Sequence, residues 1–260
     1  MRLSTINAKA KKPRFPLWAA IFWLGVWELA ARWVNEPILL VSPLGTLWRL
    51  GQLLRDPAFW QSVGFSLGHI LLGFGMSVVL AAVLAVLAYR FFWVEQLLAP
   101  LTATVKAIPV ASFVILALLW VSSRNLSVLV SLMIGFPILY GNLLTGLKST
   151  DPKMIEMAKL FRVPFSRQLK GLYLHQVRPY LRSGLSIAMG LCWKSGVAAE
   201  VIGIPGGSIG EKLYKAKIYL ETPDMFCWTL VIVLLSVGCE KLLALLLDPL
   251  GRGRGSCSER

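Results

Sequence analysis

The sequence predicts an all-α integral membrane protein, on the basis of its composition and its pattern of apolar runs. Of its 260 residues, 56% are hydrophobic and 15% are charged, whereas soluble domains average about 45–50% and about 25%. Apolar runs near the roughly 20 residues needed to cross a bilayer occur at 16–34, 66–89, 97–121, 126–147, 181–203 and 226–247. Six transmembrane helices are therefore expected.

The basic residues indicate how these spans are oriented. An even number of spans puts both termini on one side, together with the turn near Arg90 and the loop 148–182. Seventeen of the 27 Lys and Arg residues fall on that side and seven on the other. Because basic loops stay in the cytoplasm, both termini and this loop are expected to be cytoplasmic. The net charge of +14 then reflects topology and gives no reason to expect nucleic acid.

The chain divides into four regions along the sequence. A basic cytoplasmic tail (1–15) precedes the first transmembrane helix and an outer amphipathic segment (16–58). The core follows at 59–247 and contains the cytoplasmic loop 148–180, and a cytoplasmic tail (248–260) ends the chain. A cleaved signal peptide is the alternative interpretation of the first run, but that run is long for a signal core and five more spans follow.

The long basic loop contains a predicted helix of its own. Asp151 fits an N-cap and Pro152 fits the first helical position, while Pro164 is expected to end the helix. Apolar and charged side chains gather on opposite sides at 100° per residue: Met154, Met157, Ala158 and Phe161 against Lys153, Glu156, Lys159 and Arg162. Such a helix fits a groove on a partner protein or lies flat on anionic lipid, and the residues alone leave both open.

At this loop the chain resembles the permease subunits of ABC importers that depend on a binding protein. Their signature is Glu-Ala-Ala, three residues, Gly, nine residues and Ile-x-Leu-Pro. The chain keeps that spacing with Glu156-Met157-Ala158, Arg162 in the Gly place, and Leu172, Leu174 and His175 in the Ile, Leu and Pro places. Flanking segments resemble the nitrate, sulfonate, taurine and bicarbonate branch: 108–120, 136–139, 146–152, and Trp193 with 197–200.

The resemblance implies a type I ABC importer permease fold, in which the core is a permease core and the loop helix is the coupling helix that docks on a cytoplasmic ATPase. The docking role is carried over to Glu156, Ala158, Leu160, Phe161 and Arg162. A Gly in the place of Arg162 permits a left-handed turn, which Arg adopts only at a cost. The helix is therefore expected to continue toward Pro164.

The resemblance also implies a division of labour between subunits. The chain has no G-x-x-x-x-G-K-[ST] phosphate loop, and its glycine-rich stretch at 203–210 is interpreted as a turn or re-entrant segment near the outer mouth. The chain is thus expected to be non-catalytic and without a cofactor, with ATP and Mg bound by an ATPase dimer. The other expected partners are an extracytoplasmic substrate-binding protein, a second copy of the permease and the lipid of a prokaryotic inner membrane.

Three charged side chains inside the expected spans are candidates to line a translocation pathway. Lys106, Lys194 and Glu200 would each cost about 2.5–3.5 kcal/mol in hydrocarbon. The structural alternative is a buried salt bridge or a Lys bonded to helix carbonyls. Glu200 lies near a row of small residues that is typical of close helix packing, formed by Gly184, Ala188, Cys192, Gly196, Ala199 and Gly203.

The expected function is to form the translocation pathway for a small organic or inorganic anion of the sulfonate, taurine or nitrate type. A vitamin or pyrimidine precursor is the alternative cargo of the same architecture. A secondary transporter or channel is the second alternative, but it would leave the Glu156 helix without a purpose beyond the membrane surface. The sequence has no Ser/His, paired-Asp or HExxH arrangement typical of an intramembrane enzyme.

Overall fold

The structure, a computed structural model, describes residues 17–36, 38–168, 171 and 173–247, and these residues form helices and connecting loops without a strand. The predicted tails 1–15 and 248–260, and the signature residue Leu172, lie outside the described residues. The all-α prediction is confirmed over the described part. The α-helices are α1 Leu17–Val34, α2 Pro43–Leu53, α3 Pro57–Arg90, α4 Phe92–Ala107, α5 Val110–Ala117, α6 Leu126–Lys148, α7 Pro152–Leu160, α8 Phe165–Gln168, α9 Leu174–Gly203, α10 Ile209–Ile218 and α11 Thr222–Leu247.

Four segments of the described chain are long and apolar enough to cross a membrane. They are Pro57–Arg90, Ser123–Lys148, Gln176–Gly203 and Thr222–Leu247, and the bent pair α4 and α5 makes a fifth if it counts as one span. The first expected span, 16–34, is present as the 18-residue helix α1. The six-span count stays a prediction.

The apolar run expected to span at 97–121 is not one continuous helix, because the chain bends by 102° between α4 and α5. Pro109 has no N–H to continue a helix and disfavours helical geometry at the residue before it. Ile108 accordingly adopts an extended conformation, with φ −71° and ψ 126°. The break places Lys106 in the last turn of α4 and not in the middle of a continuous helix.

Helices α3, α6 and α9 form the centre of the molecule, and small residues let them approach closely. On α9, Ala188, Cys192 and Ala199 are fully buried. Ser131 on α6 donates to the Cys192 carbonyl at 3.3 Å, and the Cys192 thiol donates to the Ser131 carbonyl at 3.1 Å. A Cβ added at Gly196 would lie 2.7 Å from Ile70 of α3. The predicted row of small residues on α9 is therefore a helix contact, as expected.

The neighbours of two glycines on α9 show that α6 and α9 run antiparallel. Gly203 lies next to Leu126 at the start of α6, and Gly184 lies next to Asn142 near the end of α6. The two ends of α9 therefore mark opposite ends of the molecule. The segment with α7 precedes the start of α9, and α10 follows its end; we call these ends the α7 end and the α10 end.

At the α10 end, polar contacts join α2, α11 and the loop after α1. The Arg49 guanidinium contacts the Asp224 carboxylate through two hydrogen bonds, at 2.5 and 3.0 Å. These bonds raise the pKa of Arg49, with a smaller opposing contribution from burial. Thr222 at the start of α11 donates to the Ile38 carbonyl. Nothing in the sequence spacing of these residues indicated the contacts.

Candidate functional site

Helix α7, the predicted coupling helix, begins as the sequence indicates. The Asp151 carboxylate accepts a hydrogen bond from the Lys153 backbone N–H at 2.9 Å, and Pro152 is the first helical residue. The acidic N-cap satisfies a backbone donor that has no partner inside the helix. The predicted helix start is confirmed.

The end of α7 differs from the expectation that the helix continues toward Pro164. The helix ends at Leu160, and Arg162 adopts the left-handed conformation with φ 49°. The Val163 N–H then bonds back to the Ala158 carbonyl at 2.9 Å, which is the six-to-one bond of a Schellman motif. Arg162 therefore makes the turn that a Gly usually makes, since the bond satisfies a carbonyl that the helix end would otherwise leave unpaired.

The surface of α7 presents large apolar side chains that no described part of the chain covers. Leu160 is 80% exposed and Phe161 is 72% exposed. Met154 and Met157 are also exposed, whereas Ala158 is half-buried and Glu156 points to the surface. Exposed apolar side chains in such a cluster are typical of a surface that meets a partner.

Lys106 and Lys194 are both exposed in the single chain, and they lie at different depths. The Lys106 Nζ is 3.9 Å from a Cβ placed at Gly141 of α6, one residue before the Asn142 that contacts Gly184 of α9. Lys194 lies ten residues beyond Gly184 on α9, which is about 15 Å at 1.5 Å per residue. The structure therefore does not bring the two lysines together.

Lys194 belongs to a continuous uncovered face of α9. Ile187, Leu191, Lys194 and Ala198 are all exposed, and their spacing of three and four residues puts them on one side of a helix. The face is apolar apart from the single lysine. The opposite face of α9 carries the buried small residues described above.

Glu200 is fully buried on that opposite face. Ser66 of α3 donates to Glu200 Oε2 at 2.6 Å, and the Gly210 N–H of α10 approaches the same oxygen at 3.4 Å. The Ile209 N–H donates to Ser66 Oγ at 2.9 Å. The structure thus separates Glu200 from Lys194, and the pathway role of Lys106, Lys194 and Glu200 stays a prediction.

The glycine-rich stretch 203–210 forms the turn between α9 and α10. Ile204 and Gly207 have positive φ, 48° and 83°, and Ser208 caps α10 by accepting the Glu211 N–H at 2.9 Å. Glu211 in turn accepts the Gly207 N–H at 2.6 Å. Ser at the cap and Glu three residues later is the capping-box pattern, so this helix start could have been found from the sequence.

Glu211 is also paired along α10. Its carboxylate lies 2.6 Å from Lys215 Nζ. This hydrogen bond and the Gly207 N–H lower the pKa of Glu211, against a smaller opposing effect of burial, and the same bond raises the pKa of Lys215.

Two further contacts join successive turns of a single helix. Glu28 and Arg32 form an ion pair at 2.8 Å. His69 is a hydrogen-bonded helix residue, because its Nδ1 lies 2.9 Å from the Phe65 carbonyl. Ser66 as the partner of Glu200 was missed, since 134 residues separate the two in the sequence.

Comparison with known proteins agrees with this arrangement. The family of binding-protein-dependent transport system inner membrane components matches residues 73–250. A putative aliphatic sulfonates transport permease protein, SsuC of Bacillus subtilis, is 24% identical over 245 residues, covering 92% of this chain and 84% of the relative. The Escherichia coli protein of the same name is 27% identical and covers 76% of each chain.

A relative named for a different cargo is similar to this chain to about the same degree. The formylaminopyrimidine transport permease protein ThiX of Halalkalibacterium halodurans is 26% identical over 213 residues, covering 82% of this chain and 84% of the relative. The family match, which spans more than half of the chain, agrees with the predicted coupling loop and with the apolar helices of the fold. The chain therefore belongs to the binding-protein-dependent transport system inner membrane components, the permease subunits of ABC importers.

Proposed function

We propose that two copies of this permease form the translocation pathway for a small organic or inorganic anion of the sulfonate, taurine or nitrate type. The observation that carries the proposal is the uncovered face of α9 with Lys194 in it. A cation facing lipid at this depth costs about 2.5–3.5 kcal/mol, whereas a water-filled pathway between two copies hydrates it. An anion passing along that pathway gains a favourable charge interaction.

Lys106 supports the same interpretation from a second position along the axes of the spanning helices. It is exposed beside Gly141 of α6, about 15 Å along the α9 axis from Lys194. Two cations spaced along one pathway let an anion pass from one to the other, because neither site needs to bind it tightly. Glu200, which is fully buried in the single chain, is left out of the proposed pathway.

A pyrimidine or vitamin precursor is the alternative cargo. It is favoured by the name of the ThiX relative, which is similar to this chain to the same degree as the SsuC relatives. The two lysines favour the anion, since an uncharged heterocycle gains less from a cation in the pathway. Family membership favours an ABC importer, with either cargo, over a secondary transporter or channel.

Helix α7 is the proposed docking site for the partner ATPase, which would hold ATP and Mg. The exposed apolar residues of α7 and of the residue after it, Met154, Met157, Leu160 and Phe161, suit insertion into a groove, and Glu156 would lie at the rim. In this arrangement α7 is cytoplasmic, the α10 end is extracytoplasmic and meets the binding protein, and both termini are cytoplasmic.

The cargo and the pathway are tested by transport with the complete importer in proteoliposomes, using the cognate binding protein. That binding protein is first titrated with taurine, alkanesulfonates, nitrate and formylaminopyrimidine. We expect it to bind an anion, and we expect Lys194→Met to reduce uptake of that anion by about tenfold or more, which corresponds to about 1.4 kcal/mol. Lys194→Arg should retain most of the uptake.

Lys241→Met is the matched control, because Lys241 is an exposed lysine on another spanning helix with no proposed role. It should transport as the wild type does. Binding of formylaminopyrimidine but no anion would overturn the cargo. Uptake by Lys194→Met equal to that of the wild type, at equal membrane content, would overturn the pathway role of Lys194.

A further inference from the structure

The carboxyl of Glu200 lies where four helices meet. Its own helix is α9, its Oε2 accepts from Ser66 of α3, and the Gly210 N–H at the start of α10 points to the same oxygen. Ser127 at the start of α6 lies next to the carboxyl. This junction joins the longest helices of the core to the short helix at the α10 end.

The contact between α9 and α10 is close enough to require glycine. A Cβ at Gly210 would overlap both the backbone and the Cβ of Glu200. The first backbone N–H groups of α10 therefore reach the buried acid: Gly210 directly, and Ile209 through the Ser66 hydroxyl. Unpaired N–H groups and the positive end of a helix favour a carboxylate at this position.

One side of the carboxyl is still without a partner. Glu200 Oε1 and Ser127 Oγ are both buried, and neither has a hydrogen-bond partner among the described residues. A buried polar atom is costly unless it is bonded, so a rotation that pairs these two atoms is favourable. Glu200 can then hold α6 with Oε1 while it holds α3 and α10 with Oε2.

Helix α9 links this junction mechanically to the α7 end. It runs without a break from Leu174 to Gly203, about 45 Å at 1.5 Å per residue. It begins shortly after the loop that contains α7, and it reaches Glu200 in its last turn. The left-handed residue Ile204 closes the helix with a 2.8 Å bond to the Glu200 carbonyl.

We propose that Glu200 is a positioning residue that fixes α10 to the spanning helices, so that α10 moves with α9 as one body during the transport cycle. The proposal rests on the function proposed above, in which α7 meets the ATPase and α10 faces the binding protein. Glu200 then carries a movement of α9 to the surface that the binding protein contacts. It acts through α10 and does not touch the transported solute.

The test uses the complete importer, permease with ATPase and binding protein, in nanodiscs. Two quantities are measured: the stimulation of ATP hydrolysis by loaded binding protein, and hydrogen exchange of the backbone amides in α7 and α10. Glu200→Ala should leave basal ATP hydrolysis within about twofold of the wild type and reduce the stimulation by about tenfold or more. Exchange in α10 should rise by about tenfold while exchange in α7 stays the same.

Two matched controls separate the junction from its surroundings. Glu221→Gln changes an exposed acid at the same end, and Gly206→Ala adds a methyl group where nothing lies within 4 Å; both should behave as the wild type. Gly210→Ala should reproduce the effect of Glu200→Ala, because it forces α10 away from an intact Glu200. Ser66→Ala should have a smaller effect in the same direction.

The outcomes separate this proposal from the proposed function. Normal stimulation together with normal α10 exchange in Glu200→Ala and Gly210→Ala overturns the positioning role. Loss of protein from the membrane in both variants, with Ser66→Ala and Glu200→Gln unchanged in both measurements, also overturns it, since Glu200 then serves folding alone. If the wild type shows no stimulation, the proposed function fails, and α10 exchange still decides whether Glu200 holds α10.

Discussion

Helices α7 and α10, at the two ends of the molecule, differ in how the rest of the chain holds them. At the α10 end, the polar groups of the connecting helix find partners within the chain: Ser208 caps α10, Glu211 pairs with Lys215, and Glu200 holds its first N–H groups. At the α7 end, Leu160 and Phe161 lie at the end of a short helix, and no described residue covers their side chains. The difference teaches that α10 is positioned by its own chain, whereas α7 is shaped for a partner that supplies the missing contacts.

The largest expected effect comes from breaking α7. Ala158→Pro removes a backbone hydrogen bond and clashes with the preceding turn, at a cost of about 3 kcal/mol. Because α7 carries few contacts with the rest of the chain, the protein should remain in the membrane at its usual level. We expect uptake to fall by about tenfold or more and ATP hydrolysis to lose its dependence on the binding protein, as measured in proteoliposomes.

Ala158→Gly is the control for that change, since it lowers helix propensity by only about 1 kcal/mol and leaves the backbone donor in place. It should retain most of the uptake. Normal, coupled transport by Ala158→Pro would show that α7 is not the docking helix, and the contrast between the two ends would then lose its functional meaning.

A smaller effect is expected at Arg162, the left-handed residue that follows the end of α7. Arg162 has φ 49°, and a left-handed conformation costs a non-glycine residue about 1–2 kcal/mol. Arg162→Gly should stabilise the end of α7 by about 1 kcal/mol. The Val163 amide, which bonds to the Ala158 carbonyl, should then exchange about fivefold more slowly, since 1 kcal/mol is a factor of about five.

The comparison variant is Arg162→Ala, which removes the side chain but keeps the conformational cost and should show no such protection. If Arg162→Gly speeds the exchange of Val163, the arginine stabilises the turn through contacts of its own.

The smallest effect concerns Glu211 at the α10 end and depends on pH. Its pKa is lowered in the folded state, chiefly by the hydrogen bond with Lys215. The stabilisation is therefore fully present above the unfolded pKa of about 4.3 and is lost as the pH falls through the folded pKa. Because Lys215 is exposed to solvent, which screens the pair, the stabilisation should be small.

Thermal unfolding of the purified permease tests this linkage. Glu211→Gln should unfold at a slightly lower temperature than the wild type at pH 7, and the difference should shrink as the pH is lowered below about 4. A difference that is equally large at both pH values would show that Glu211 stabilises α10 by the shape of its side chain and not by its charge.

The sequence by itself determined the features that depend on residues close together in the chain. The membrane class follows from apolar runs, the start of α7 from Asp151 and Pro152, and the row of small residues on α9 from its own spacing. Each of these reflects local hydrogen bonding or helical periodicity. The bend at Pro109 could also have been predicted, because a proline ends a helix by local sterics, but the apolar run at 97–121 concealed it.

Only the tertiary structure decided which residues meet across long separations. Glu200 and Lys194 lie six residues apart on one helix, and packing buries one while it leaves the other exposed. Ser66 and Glu200, and likewise Arg49 and Asp224, come together because the antiparallel helices return to the same end of the molecule. At Arg162 the bond from Val163 to Ala158 accompanies the left-handed turn that the residue type disfavours. Hydropathy and spacing do not encode such contacts, since they depend on the relative positions of whole helices.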